Sequence, residues 1–142
     1  MDCSQERGRP ECNDTLMNIK KIRTVLIVDD DRNVVAMLKQ ALTHIGCLVL
    51  SAGDGMEALA RHEHQSDAID LLITDLQMPY MNGHELAERL LQQRPNLPIV
   101  FISGDPEAET VPAELTSANL SIMRKPFAPS ELIARVTSLF AT

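Results

Sequence analysis

The sequence predicts an α/β protein, a doubly wound (βα)5 domain around a five-stranded parallel sheet. Three observations carry the prediction. Short branched apolar runs alternate with segments of helical periodicity five times within about 120 residues, a pattern that implies parallel strands, right-handed crossovers and helices on both faces. The first run, "VLIV" (25–28), has no polar alternation, as a strand covered on both faces would not. Several runs stop at an acid or a hydroxyl, and in open sheets of this class function sits at the carboxyl ends of the strands.

Each element follows in order. After "VLIV", Val35, Leu38, Leu42 and Ile45 recur at helical spacing, with Gly46 as C-terminal cap. "CLVLSA" (47–52) reads as the second strand and "DGMEALARHEH" (54–64) as the second helix. "IDLLITD" (69–75) is a third strand ending in an acid. Leu86, Leu90 and Leu91 mark a helix after "NG" (82–83). "LPIVFIS" (97–103) is a fourth strand ending in a hydroxyl, and a weak helical segment covers about 106–117. Pro112 disfavours a helix interior by about 3 kcal/mol, so this part reads as a longer loop and a short helix starting near Pro112. "LSIM" (120–123) is the fifth strand. Leu132, Ile133, Val136, Leu139 and Phe140 give a last helix, opened by Pro129.

Length and composition narrow the function. The 142 residues suit one domain: residues 1–21 lack apolar periodicity and read as a flexible tail, leaving 22–142 as the domain. A net charge of −7 argues against a nucleic-acid surface. No apolar run approaches the ~20 residues needed to span a membrane, and the polar N-terminus does not resemble a signal peptide. Cys3, Cys12 and Cys47 form neither a metal spacing nor an even disulfide set, which fits a reduced, cytoplasmic setting. With four aromatic residues besides histidine, aliphatic side chains must build most of the core.

The strand ends carry the chemistry. Asp29 and Asp30 end the first strand, Asp75 the third and Ser103 the fourth, and Lys125 follows the fifth; all should converge on one rim. Two carboxylates ~5 Å apart repel by about 3 kcal/mol at an effective dielectric near 20. A hard cation among them would remove that cost, and Mg2+ suits oxygen ligands and phosphate partners. Lys125 supplies a point charge and Ser103 a hydrogen-bond donor for a phosphoryl group. The sequence has no histidine beside a nucleophile and no glycine-rich phosphate loop, which argues against acyl transfer and nucleotide binding. A carboxylate can itself be the nucleophile, forming an aspartyl phosphate, and Asp75 is the central candidate. Asp31 is read as an end-group that complements the helix N-terminus, worth ~0.3–1 kcal/mol. His62 and His64 are read as surface residues, and His44 and His84 have no partner that the sequence names.

The pieces "VLIVDDD", "LLITDLQMPYMNG", "FISG" and "KPF", in this order and at strand ends, resemble the receiver domain of bacterial two-component response regulators. The resemblance spans about residues 22–142 and implies a flavodoxin-like fold with strand order 2-1-3-4-5. It implies that Asp75 is the phosphoacceptor. Asp30 would bind Mg2+ directly and Asp29 through water or indirect contacts, with Asp75 and the Gln77 backbone carbonyl as further ligands. Ser103 and Lys125 would contact phosphoryl oxygens, and the Lys125–Pro126 bond would be cis. The implied donor is a histidine kinase or histidine phosphotransfer protein. The implied output partner, unidentified, would use the face of the fourth helix, fifth strand and fifth helix. Apart from phosphorylation and dephosphorylation of its own aspartate, no enzyme activity is expected.

A stand-alone domain is expected, since the chain ends soon after the last helix. The alternative is a receiver fragment of a larger transcription factor or hybrid kinase. A magnesium-dependent phosphatase of the haloacid dehalogenase type would want a second acid two residues after its nucleophile, where this chain has Gln77. A flavodoxin-like cofactor binder would set a flavin phosphate against an acidic rim. One departure from the receiver pattern stands out. Many receivers carry Tyr or Phe three residues before the lysine, where this chain has Ile122. Phosphorylation is therefore expected to reorder residues 104–112 in place of turning an aromatic ring.

Overall fold

A computed structural model describes residues 22–65, 69–78, 81–104 and 120–140. The elements are β1 (Thr24–Val28), α1 (Arg32–His44), β2 (Leu48–Ala52), α2 (Gly55–Gln65), β3 (Leu71–Asp75), α3 (Gly83–Gln93), β4 (Ile99–Ser103), β5 (Leu120–Arg124) and α4 (Pro129–Phe140). The strands are parallel, in the order β2-β1-β3-β4-β5, as expected. The tail with Cys3 and Cys12, the helical segment at 106–117 and most of the 104–112 stretch lie outside the described residues.

Period-two alternation splits each central strand between two cores. Leu26, Val28, Leu72, Ile99 and Phe101 point to one side, where α2 and α3 add Ala58, Leu86, Ala87 and Leu90. Val25, Ile27, Leu71, Ile73, Val100 and Ile102 point to the other, where α1 and α4 add Leu38, Leu42, Leu132 and Val136. Every residue of β1, β3 and β4 is buried, while the edge strands β2 and β5 are partly exposed. Phe101 heads the large, fully buried side chains, and the rest of that group are leucines and isoleucines. The core is thus almost wholly aliphatic.

Local chemistry fixes the helix ends. The Asp31 side chain caps α1, accepting from the backbone N–H groups of Asn33 and Val34, which satisfies donors that a helix start leaves open. At its other end Gly46 adopts φ 92°. Its N–H reaches the Thr43 carbonyl while that of Cys47 reaches Leu42, the paired bonds of a Schellman cap. Asn82 and Glu85 close a reciprocal capping box on α3.

One expectation fails: His62 is not a surface residue. It is 1% exposed, because it lies four residues after the buried Ala58 on the same face of α2. Among the described residues its buried Nε2 has no hydrogen-bond partner, and neither has that of His84. The ring of His84 meets Phe101 edge-on, with centroids 5.5 Å apart, a favoured aromatic geometry. His44 is exposed.

Candidate functional site

The strand order reverses direction between β1 and β3, and the crevice outside such a switch point is where ligands bind in open α/β sheets. Asp29 follows β1 and Asp75 ends β3, so both stand at that crevice. One carboxylate oxygen from each of Asp29, Asp30 and Asp75 lies within 4.8 Å of the others. Asp29 and Asp75 are buried, at 4% and 7% exposure, whereas Asp30 is open to solvent.

Lys125 arrives from the loop after β5. Its Nζ is 3.3 Å from Asp29 Oδ2 and 3.3 Å from Asp75 Oδ2. Its backbone N–H donates to the Ser103 carbonyl at 2.8 Å, which ties the ammonium and the hydroxyl carrier together. The Lys125–Pro126 bond is cis, as the resemblance implies. Asp75 Oδ1 accepts from the Gln77 N–H at 3.0 Å, and Asp29 Oδ1 accepts from the Asp31 N–H at 2.9 Å. Ser103 is buried at the end of β4. Asp29, Asp30, Asp75, Ser103 and Lys125 are therefore at one rim, with Gln77 directly beyond Asp75.

The electrostatics leave the cluster short of positive charge. Burial raises the Asp29 carboxyl above its usual range; the neighbouring Asp75 adds to this, while the Asp31 N–H and Lys125 act against it. For Lys125 burial pulls down, but the charges and hydrogen bonds of Asp29 and Asp75 outweigh it and hold the ammonium above its ordinary value. One ammonium faces three carboxylates. An all-oxygen donor set with excess negative charge fits a hard divalent cation, and Asp29, Asp30 and Asp75 could hold one.

Sequence reasoning missed how the backbone beneath Asp75 is held. A Cβ on Gly83 would lie 2.5 Å from the Asp75 carbonyl oxygen and 3.1 Å from Leu76 Cα. Only glycine allows the first turn of α3 to come so close to the loop, where the Gly83 N–H donates to the Leu76 carbonyl at 3.0 Å. The glycine of "MPYMNG" is the visible trace of this contact. A Cβ on Gly55 would likewise meet Met81 Sδ at 2.8 Å, so the second methionine of that motif is seated on the start of α2. Thr74 is fully buried and its hydroxyl donates to the Asp75 carbonyl at 3.0 Å.

A doubly wound sheet with an acidic, cation-suited pocket at its switch point places the chain among α/β domains that bind ligands at the carboxyl ends of their strands. Within that class, the chain belongs to the response regulator receiver domain family, which matches residues 25–137. It is 32% identical over 117 residues to the alkaline phosphatase synthesis transcriptional regulatory protein PhoP of Bacillus subtilis, covering 82% of this chain and 48% of PhoP. The chain thus spans about half the length of that relative. The structure of the chemotaxis protein CheY4 of Vibrio cholerae matches with a TM-score of 0.75 at 28% identity, over 84% of this chain and 99% of CheY4. A response regulator receiver protein from Sinorhizobium medicae matches with a TM-score of 0.76 at 29% identity, over 86% and 97% of the two chains. Among the described residues no helix is long and apolar enough to cross a membrane.

Proposed function

We propose that this receiver domain, spanning 22–142 behind a tail at 1–21, is a phosphorylation-controlled switch with Asp75 as phosphoacceptor. The observation that carries this reading is the Lys125 ammonium, 3.3 Å from both Asp29 and Asp75. It places a positive charge beside the nucleophile and beside the acid that would otherwise repel an incoming phosphoryl group. An Asp75 carboxylate oxygen attacks the phosphorus of a phosphohistidine on a histidine kinase or phosphotransfer protein. The P–O bond forms as the P–N bond breaks, and the electron pair leaves with the imidazole nitrogen. Lys125 and the Ser103 hydroxyl contact the transferred oxygens, so the protein's part is positioning and charge stabilisation.

The metal in this reading is Mg2+, held by Asp29, Asp30, Asp75 and the Gln77 carbonyl; when bound it neutralises the carboxylates and the phosphoryl oxygens. The phosphatase reading gains nothing from Gln77, whose N–H fixes Asp75 Oδ1 and whose side chain carries no acid. A cytoplasmic setting and an output partner on the β5–α4 side complete the proposal.

The test is mass spectrometry of the chain after incubation with acetyl phosphate and Mg2+. One phosphoryl group should be added, and Asp75→Asn should abolish the addition. Equal labelling of the Asn variant would move the site elsewhere.

A further inference from the structure

We propose a second ligand site, for a nucleoside diphosphate, in the open cleft between α1 and α2 above the edge strand β2. The cleft has a volume of about 430 Å3, a size that suits a small organic ligand. Asp29 is among its lining residues, and the phosphorylation reading makes no use of the others.

Its charge is unlike that of the rest of the molecule. In a chain of net charge −7, Arg32, Lys39 and Arg61 all line this one cleft. Arg32 and Lys39 are seven residues apart, so they share a side of α1 with roughly 10 Å of rise between them. Among the described residues neither makes an ion pair or a side-chain hydrogen bond. The two acids on its walls, by contrast, are engaged. Glu57 accepts from the Gly53 N–H at 2.8 Å and pairs with Arg61 at 3.7 Å. Asp29 is held by Lys125, and Asp31 is spent on the α1 cap. The walls therefore carry three cations against two carboxylates, Asp29 and Glu57, and each carboxylate already has a cationic partner.

The remaining lining says what the anion should carry. Val35, Ala36 and Ala52 add apolar lining, which we take as the floor of the site, and Ser51 adds a polar residue. A flat ring laid on that floor buries apolar surface, while a diphosphate reaches the cations along α1. Arg32 can clasp phosphate oxygens two at a time and Lys39 acts as a point charge. Recognition here runs through side chains and needs no glycine-rich backbone loop, whose absence argued against a nucleotide site.

The experiment is isothermal titration of the full chain with ADP in metal-free buffer. We expect one site with Kd below about 1 mM. Arg32→Ala and Lys39→Ala should each weaken binding by about tenfold or more. Both side chains are exposed, and thermal melts of the two variants would verify that they fold. Asp75→Asn should bind ADP as the native chain does, which separates this site from the phosphoacceptor. Inorganic pyrophosphate should bind more weakly than ADP, since it leaves the floor uncovered. Absence of saturable binding overturns the proposal. So does ADP affinity unchanged by either substitution, or pyrophosphate binding as tightly as ADP.

Discussion

The sheet is covered on one side by α1 and α4 and on the other by α2 and α3, and the two layers are packed by different means. On the α1/α4 side, Leu38, Leu42, Leu132 and Val136 lie against valines and isoleucines of the strands. On the α2/α3 side, leucines share the space with Phe101, the half-buried His84, the buried His62 and glycines in near-contact with Asp75 and Met81. Aliphatic burial suffices where a helix has only to anchor a strand. Where a helix must hold the loop bearing Asp75, close backbone approach and specific ring geometry take over.

The largest effects test whether the two layers are separable. Phe101→Ala should cost about 3–5 kcal/mol and Leu38→Ala about 2–5 kcal/mol in chemical denaturation, since both leave large cavities. Only Phe101→Ala, which removes the ring that orients His84, should also shift the NMR resonance of the Gln77 amide bonded to Asp75. An equal shift in Leu38→Ala would erase the distinction. Next comes Gly83→Ala, which forces a methyl group against the Asp75 carbonyl and should cost about 1–3 kcal/mol. It should also slow phosphorylation by acetyl phosphate. Labelling at the native rate would show that the close contact serves stability alone.

The smallest effect is acid sensitivity confined to the α2/α3 layer. Burial first, then the Arg94 charge, lowers the His62 pKa, with Glu63 opposing; burial also lowers that of His84. Both rings are harder to protonate in the folded protein than in the unfolded chain, which takes up protons near pH 6.5. Their contribution is complete above about pH 6.5 and is lost as pH falls below it, because the unfolded state then binds more protons. His62→Gln should flatten stability between pH 7 and 5 relative to the native chain. A slope unchanged in both His62→Gln and His84→Gln would assign the acid sensitivity to other groups.

Much of this was legible in the sequence for identifiable reasons. β1, β3 and β4 are uninterrupted apolar runs because both their faces are buried. The acids and the hydroxyl that end them could only belong to the rim. Asp31 was readable as an end-group because a carboxylate before a helix has a local function. His62 was misread because its two-residue spacing from His64 was weighed and its four-residue spacing from Ala58, one turn earlier, was not. The role of Gly83 was not readable, since it depends on how closely α3 approaches a loop seven residues earlier in the chain. Ile122 is half-buried, pairs in register with Phe101 and packs on the α2/α3-side core, so the expected place of a switching aromatic is filled by an ordinary core contact. The expected reordering of 104–112 falls almost wholly outside the described residues.

The contact between Gly83 and Asp75 has a mechanical meaning. Most interfaces between a helix and a loop are padded by side chains, whose rotations absorb small movements as a cushion would. Here main chain bears on main chain, and the capping box at Asn82 and Glu85 stiffens the helix start immediately beside the point of contact. Load placed on the Asp75 carbonyl passes to the end of α3 with little slack between them. The Asp75 carbonyl and the first turn of α3 thus form one close joint, and a displacement at Asp75 must be taken up by parts of the molecule other than this joint.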